Sequence, residues 1–230
     1  MGWAIETEPA RRRGPPRVAT RLGAPAPRAP AGGRGVRRRV KRVSAPRRRG
    51  TPSAARRHRC AWASREPLLS YHDSEWGQPV HDDRLLFEFL ILEGMQAGLS
   101  WETVLRKRDA FRRAFVNFNP ARVANFTSKD VTRLMNDEAI IRNRAKIDAA
   151  IGNAKALAVL QKESGSFDRY VWEFDDKDAL SKDLKKRGFR FVGPTIVESF
   201  MQAVGIRNDH ERGCYRRAEL TRARATRPAR

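Results

Sequence analysis

Two observations predict an all-α fold for this chain of 230 residues. From residue 82 onward, successive segments carry apolar residues at helical spacing, and residues that favour helix caps precede several of them. No segment of strand length alternates clearly between apolar and polar residues. The most apolar segment follows Asp82 and Asp83 and runs from Leu85 to Leu92. Because its apolar side chains cover every face, we expect a central, buried helix.

The later helices are predicted in turn from caps and periodicity. Ser100 is a good N-cap for a helix from Trp101 to about Phe118. Pro120 favours the first turn of a short helix, and Thr127 precedes another. Further helices are expected over residues 140–160, 167–174, 179–187 and 194–204.

The last two of these helices enclose a tight connection between Gly188 and Gly193. Helix, glycine-bounded hairpin and helix is the arrangement of a helix-hairpin-helix element, whose backbone N–H groups can bind a DNA phosphate. Lys185, Lys186 and Arg187 add positive charge beside it. The pattern alone also fits an ordinary pair of antiparallel helices with a solvated basic face.

Charge and composition divide the chain into three parts. Residues 1–57 hold 17 basic and 2 acidic residues, with 8 prolines and 7 glycines, and this composition predicts a disordered extension. Residues 58–214 are nearly neutral, with 25 basic and 23 acidic residues. We therefore expect one domain over 58–215 and a disordered basic tail over 216–230. The extension has no secretory h-region; a DNA-binding arm and a start codon placed too far upstream both remain open.

No run of eighteen apolar residues predicts a membrane span, and two cysteines are too few for a disulfide-stapled secreted domain. Each cysteine has a histidine close by. His72 follows Cys60 by twelve positions, and His210 precedes Cys214 by four. Two thiolates and two imidazoles commonly form a closed zinc site, which here would join the two ends of the domain. Two buried thiols or a disulfide are the alternatives.

Glu93 follows directly on the most apolar segment of the chain. A buried carboxylate without a partner is costly, so such a group is either capped or kept for function. Gln96 lies one turn further on, and Trp101 follows after a glycine-containing break. A carboxylate, an amide and an indole close together predict a pocket for a planar, electron-poor base. The alternative is a helix end at which Glu93 faces solvent.

Five blocks in register resemble the 3-methyladenine DNA glycosylase I family. The order and spacing match that family from Cys60 to about Cys214, whereas residues 1–57 and the last dozen or so residues match nothing in it. The blocks are YHDSEWG (71–77), LEGMQAGLSW (92–101), IIRNRAKI (140–147), KRGFRFVGPT (186–195) and NDH (208–210).

The resemblance implies an all-α helix-hairpin-helix glycosylase fold with one structural Zn²⁺. It implies that Glu93 faces a flipped base and that Leu99 fills the gap left in the duplex. The other implied site residues fall into three groups: zinc ligands Cys60, His72, His210 and Cys214; base contacts Tyr71, Trp101, Trp62 and Gln96; and DNA contacts Lys185, Lys186, Arg187, Gly188, Gly193 and Thr195. Leu69 stands where family members often carry an aromatic residue.

The implied activity is hydrolysis of the N-glycosidic bond of N3-methyladenine in double-stranded DNA, by a monofunctional and monomeric enzyme of the bacterial cytosol or nucleoid. Base flipping would bring the target to the pocket. Asp209, sixteen residues after Gly193, is a rival for the catalytic carboxylate, and we expect it to be structural support. A glycosylase for other alkylated purines and a non-enzymatic DNA-binding module are the competing functions.

Overall fold

The computed structural model describes residues 57–225, with side chains as far as residue 223. Ten α-helices and one short 3₁₀ helix form this part of the chain, which contains no strand, so the predicted all-α class is confirmed. The α-helices are α1 (Leu68–Ser74), α2 (Asp83–Gln96), α3 (Trp101–Ala114), α4 (Pro120–Ala124), α5 (Ser128–Asn136), α6 (Arg144–Ser164), α7 (Phe167–Val171), α8 (Lys177–Lys186), α9 (Pro194–Ala203) and α10 (Tyr215–Ala225).

Helix α2 lies at the centre of the fold. The Asp82 side chain caps it by accepting a 2.7 Å hydrogen bond from the backbone N–H of Leu85. Every residue from Leu86 to Met95 is buried, and the helix packs against α3, α6, α7 and α9. The predicted central helix is therefore confirmed, with both N-terminal aspartates in their expected places.

Helix α3 ends at Ala114, four residues earlier than predicted. Val116, Asn117 and Phe118 all have positive φ and form a separate 3₁₀ turn. The rings of Phe115 and Phe118 are both buried and stack with their centroids 5.6 Å apart. A continuous helix would point Phe118 elsewhere, so core packing here overrides helical continuity.

Helix α6 starts later than predicted because Asn143 caps it. The Asn143 side chain accepts a hydrogen bond from the backbone N–H of Lys146, and the helix begins at Arg144. Ile140 is buried but precedes the helix. No helix in the described range, including the 21-residue α6, has the length and apolar character to span a membrane.

The expected disordered tail is wrong over residues 216–225, which belong to α10. The arginine content of this segment conceals a buried apolar residue, Leu220, which anchors the helix. The Asn208 amide also donates hydrogen bonds to the carbonyl of Arg217 and to the hydroxyl of Thr221. The folded domain therefore extends beyond residue 215. Residues 1–56 and 226–230, including most of the predicted extension, lie outside the described part of the chain.

Candidate active site and metal-binding cluster

A cavity of about 350 Å³ opens where α1, the end of α2, the start of α3 and α9 meet. All five residues predicted to face the base line it: Glu93, Gln96, Trp101, Tyr71 and Trp62. Sequence reasoning missed the other lining residues, which are Leu68, Trp76, Ser100, Glu102, Ser199 and Gln202. Leu69 is not among the residues that line the cavity, whereas its neighbour Leu68 is.

Glu93 is a buried carboxyl group without a cationic partner. It is 4% exposed, so the alternative of a solvent-facing helix end is wrong. Another glutamate on α2, Glu88, is fully buried but is neutralised by Arg108 at 2.7 Å and Arg112 at 2.8 Å. No residue from 57 to 223 forms an equivalent ion pair with Glu93, and burial raises its pKa to about 8. The free protein near neutral pH therefore holds Glu93 mostly as the neutral acid.

Aromatic rings form the cavity wall around Glu93. Tyr71 and Trp101 have their ring centroids 5.5 Å apart, and Trp62 packs edge-on against Trp76 at 5.0 Å. The Tyr71 hydroxyl and the Trp101 indole N–H are both buried without a hydrogen-bond partner among the described residues. Burial, and then the charge of Glu93, raise the pKa of Tyr71 well above its usual range. The cavity thus offers flat apolar faces to a ligand, with the Tyr71 hydroxyl and the Trp101 indole N–H buried beside them.

Cys60, His72, His210 and Cys214 form a buried cluster whose ligand atoms all lie within 4.8 Å of one another, so it could hold a metal ion. Cys214 Sγ lies 3.3 Å from His72 Nε2 and 3.5 Å from His210 Nδ1, and Cys60 Sγ lies 3.5 Å from His210 Nδ1. A tetrahedral ion with zinc-like bond lengths gives sulfur–nitrogen separations of about 3.6 Å. The four side chains therefore already have nearly the spacing of a tetrahedral site.

The second nitrogen of each histidine also suits metal binding. His72 Nδ1 lies 2.9 Å from the Asp73 carboxylate, which pairs in turn with Arg59. His210 Nε2 lies 3.2 Å from the Trp76 carbonyl. Each ring can donate its remaining N–H to an oxygen, which fixes the tautomer that leaves the other nitrogen free for a cation. Burial lowers the pKa of His210 to about 4, so this imidazole is neutral near pH 7.

The connection between α8 and α9 exposes several of the predicted DNA contacts. Lys185, Lys186, Gly188 and Thr195 are exposed, and Gly188 has a φ of +89° that favours glycine. Gly193 is the N-cap of α9 and provides no side-chain cap, so N–H groups of the first turn remain available.

Asn153 of α6 fixes the shape of this connection. Its buried amide accepts a 2.8 Å hydrogen bond from the Arg190 N–H and donates a 2.9 Å bond to the Arg190 carbonyl. The Ser181 hydroxyl donates to the carbonyl of Val192 at 2.7 Å. Buried side chains therefore set the backbone conformation before any ligand arrives.

Arg187 differs from its lysine neighbours because its charge is already paired. Its guanidinium lies 2.6 Å from Asp183 and 2.5 Å from Glu163, and it stacks over the ring of Tyr170. These contacts fasten the end of α8 to α6 and α7. Its predicted phosphate contact would have to compete with two carboxylates.

Leu99 stands in the loop between α2 and α3 with 44% of its surface exposed, next to Gly98 at a φ of +78°. The buried Lys146 of α6 supports this loop from inside. Its ammonium donates to the carbonyls of Met95 and Ala97 at 2.8 and 2.6 Å. These bonds satisfy carbonyls at the end of α2, which a helix leaves without internal partners.

The methyladenine glycosylase family model matches residues 62–179 and 175–217. The chain belongs to the methyladenine glycosylase family. It is 48% identical to DNA-3-methyladenine glycosylase 1 of Escherichia coli strain K12, over 68% of this chain and 95% of that protein. It is 40% identical to DNA-3-methyladenine glycosylase of Haemophilus influenzae, over 68% of this chain and 96% of the relative.

Solved structures of methyladenine glycosylases have the same fold. A crystal structure of 3-methyladenine DNA glycosylase I is 46% identical with a TM-score of 0.66, covering 69% of this chain and 98% of that one. The Staphylococcus aureus structure that describes 3-methyladenine recognition is 36% identical with a TM-score of 0.66, covering 68% and 95%. The all-α glycosylase fold expected from the sequence is thereby confirmed.

The match to the E. coli relative leaves some of that protein's positions without a counterpart in this chain. It uses 68% of 230 residues, about 156, over 177 aligned positions. The two family-model matches overlap at residues 175–179, beside the short connection of residues 172–176 between α7 and α8.

Proposed function

We propose that this protein is a DNA-3-methyladenine glycosylase I that hydrolyses the N-glycosidic bond of N3-methyladenine in alkylated DNA. The observation that carries the proposal is the unpaired, buried carboxyl group of Glu93 in an aromatic cavity. A module that only held phosphate would have no use for such a group. Family membership, and relatives named for release of the same base, support the same activity.

Charge gives the cavity its selectivity. N3-methylation makes the base cationic, so the rings of Tyr71 and Trp101 can attract it by cation–π contact. The cationic base also favours the ionised form of Glu93, whose pKa in the free protein is about 8. Neutral adenine would leave Glu93 buried without a compensating charge. The pocket therefore favours the damaged base over the normal one.

The bond to be broken needs little acid catalysis, because the positive charge already makes the base a good leaving group. The target nucleotide must leave the helical stack to reach the cavity. Ionised Glu93 would orient the base and stabilise the positive charge that develops on the sugar, while a water molecule attacks the anomeric carbon. Lys146 already donates to two backbone carbonyls, which fits a monofunctional hydrolase without a Schiff-base step.

The α8–α9 connection is proposed as a helix-hairpin-helix element that holds the DNA backbone. N–H groups near Gly188, Gly193 and Thr195 would bind a phosphate at the N-terminus of α9, and Lys185 and Lys186 would add electrostatic attraction. We assign Arg187 mainly to holding α8 in place. Leu99 would enter the duplex gap that the flipped nucleotide leaves.

The metal in the Cys60–His72–His210–Cys214 cluster is proposed to be one structural Zn²⁺ per chain. Two thiolates and two imidazoles match the ligand preference of zinc, and with four protein ligands the site has no open position for a substrate. The ion would hold the segment before α1 against the segment before α10. No step of the reaction requires it. The enzyme is proposed to act as a monomer on double-stranded DNA in the bacterial cytosol or nucleoid.

Base release tests the proposal directly. Purified protein is incubated with DNA treated with a methylating agent, and the released bases are separated by chromatography. We expect 3-methyladenine to be the main product, with Glu93→Gln strongly impaired and Glu138→Gln, whose side chain is 84% exposed, unaffected. Release of only other alkylated purines would favour the broader glycosylase. No release by folded protein would favour the non-enzymatic module.

A further inference from the structure

Gln202 and Asp209 form a polar pair beside the cavity. Gln202 of α9 lines the cavity together with Ser199. Its side-chain Nε2 lies 2.9 Å from Asp209 Oδ2. Asp209 does not line the cavity, and its other contact is the guanidinium of Arg207 at 3.3 Å. These contacts are compatible with the predicted role of Asp209 as structural support, which stays a prediction.

The chemistry of this pair fixes the orientation of the Gln202 amide. A carboxylate paired with an arginine, as Asp209 is with Arg207, accepts hydrogen bonds and does not donate them. The NH₂ group of Gln202 must therefore face Asp209, because the reverse orientation would bring two acceptor oxygens together. With the NH₂ group held by Asp209, the carbonyl oxygen, Oε1, remains to accept a hydrogen bond from a ligand in the cavity that Gln202 lines. Asp209 in this way keeps an acceptor available on the α9 side of the cavity.

We propose that Gln202 is a specificity residue whose carbonyl oxygen accepts a hydrogen bond from the exocyclic amino group of the flipped base. In this proposal Asp209 is the positioning residue that holds the Gln202 amide in that orientation. The proposal rests on the proposed glycosylase activity. Adenine carries an amino donor where guanine carries an acceptor oxygen. A fixed acceptor therefore favours a 6-amino purine over a 6-oxo purine.

Glu93 and the aromatic rings respond to the positive charge of the base, which 3-methyladenine and 3-methylguanine share. Charge therefore does not separate these two bases. A hydrogen-bond acceptor directed at position 6 of the purine does separate them, because only the 6-amino base can donate to it.

The test measures a preference rather than an overall rate. Methylated duplex DNA contains both 3-methyladenine and 3-methylguanine, and chromatography gives the initial release rate of each. Asp209→Asn allows the Gln202 amide to turn, and Gln202→Met removes its acceptor. Each variant is expected to lower the preference for 3-methyladenine roughly tenfold, the effect of about one hydrogen bond. The double variant should lower it no further, because the two residues act as one unit.

Three controls keep the outcome clear. Asp109→Asn, whose side chain is 83% exposed, should keep the wild-type preference. Because Asp209 adjoins His210, metal content is measured for Asp209→Asn, whereas Gln202→Met tests the same idea with no ligand as a neighbour in sequence. An unchanged preference in both variants, even with a lower overall rate, would overturn the inference, as would additive effects in the double variant. Absence of 3-methyladenine release by the wild type would instead refute the proposed activity itself.

Discussion

Replacing Glu93 with glutamine is expected to stabilise the folded protein at pH 8 and to change its stability little at pH 5. The buried carboxyl group has a folded-state pKa of about 8, raised from 4.5 by desolvation. Because the folded pKa is raised, the unfolded chain releases this proton at lower pH than the folded protein does. The wild type therefore loses stability as the pH rises from about 4.5 to 8.

The size of the effect follows from the shift. Each pKa unit corresponds to about 1.4 kcal/mol. Between pH 5 and pH 8 the Glu93 carboxyl group should therefore cost the wild type about 3 kcal/mol of unfolding free energy that a neutral glutamine would not lose. Glutamine has nearly the same shape, so this difference does not arise from a new cavity.

Urea denaturation followed by circular dichroism at pH 5 and pH 8, at constant ionic strength, provides the measurement. The free energy of unfolding of Glu93→Gln minus that of the wild type should be larger at pH 8. Glu138→Gln corrects for the general loss of one surface carboxylate, because its side chain is 84% exposed. Equal differences at the two pH values would refute the assignment of Glu93 as a buried, unpaired acid.

Three further variants test other parts of the account. Leu99→Gly should lower excision from duplex DNA about tenfold, as expected for the loss of one buried apolar contact. Tryptophan fluorescence should show unchanged binding of free 3-methyladenine, because Leu99 does not line the cavity. Lys146→Met leaves the carbonyls of Met95 and Ala97 without their donor, so urea denaturation should reveal a loss of about 1–3 kcal/mol. Cys214→Ser should lower both the bound metal and the melting temperature, and a chelator should destabilise the wild type but not this variant. A metal-free, equally stable Cys214→Ser protein would contradict the structural role of the ion.

Local sequence signals were sufficient to predict the central helix and to single out Glu93, the most important residue on it. Asp82 caps α2, the apolar run from Leu86 onward is buried, and Glu93 interrupts that run. Each of these depends on residues within a few turns of one helix. Cys60 and Cys214 are far apart in the chain, and the family motifs identified them as partners where their spacing alone left alternatives open.

Contacts between distant helices could not be predicted in the same way. Trp76, Ser199 and Gln202 line the cavity only because α1 and α9 pack beside α2, and nothing in their own segments marks them. The charge of Arg187 suggested a phosphate contact, and nothing in α8 showed that Glu163 of α6 pairs with this guanidinium.

The secondary-structure predictions were also wrong for two segments whose sequence signals conflict. The arginines of α10 suggested disorder, although a single buried leucine, Leu220, anchors this helix to the domain. The predicted length of α3 was wrong for the opposite reason. The sequence up to Phe118 is compatible with a helix, but burial of the Phe118 ring requires a turn. Helical propensity and charge are local properties, whereas both outcomes depend on the packing of the whole domain.

The most direct test of the central claim is the pH dependence of 3-methyladenine release by the wild type and by Glu93→Gln. The parameter kcat/KM reports the ionisation of the free enzyme. If ionised Glu93 recognises the cationic base, kcat/KM should rise with pH and level off above about pH 8, the folded-state pKa of this group. Glu93→Gln should be at least tenfold slower, about the effect of one charge-assisted hydrogen bond, and should lack this rise. The same rate and pH profile in both proteins would contradict the claim that Glu93 carries recognition.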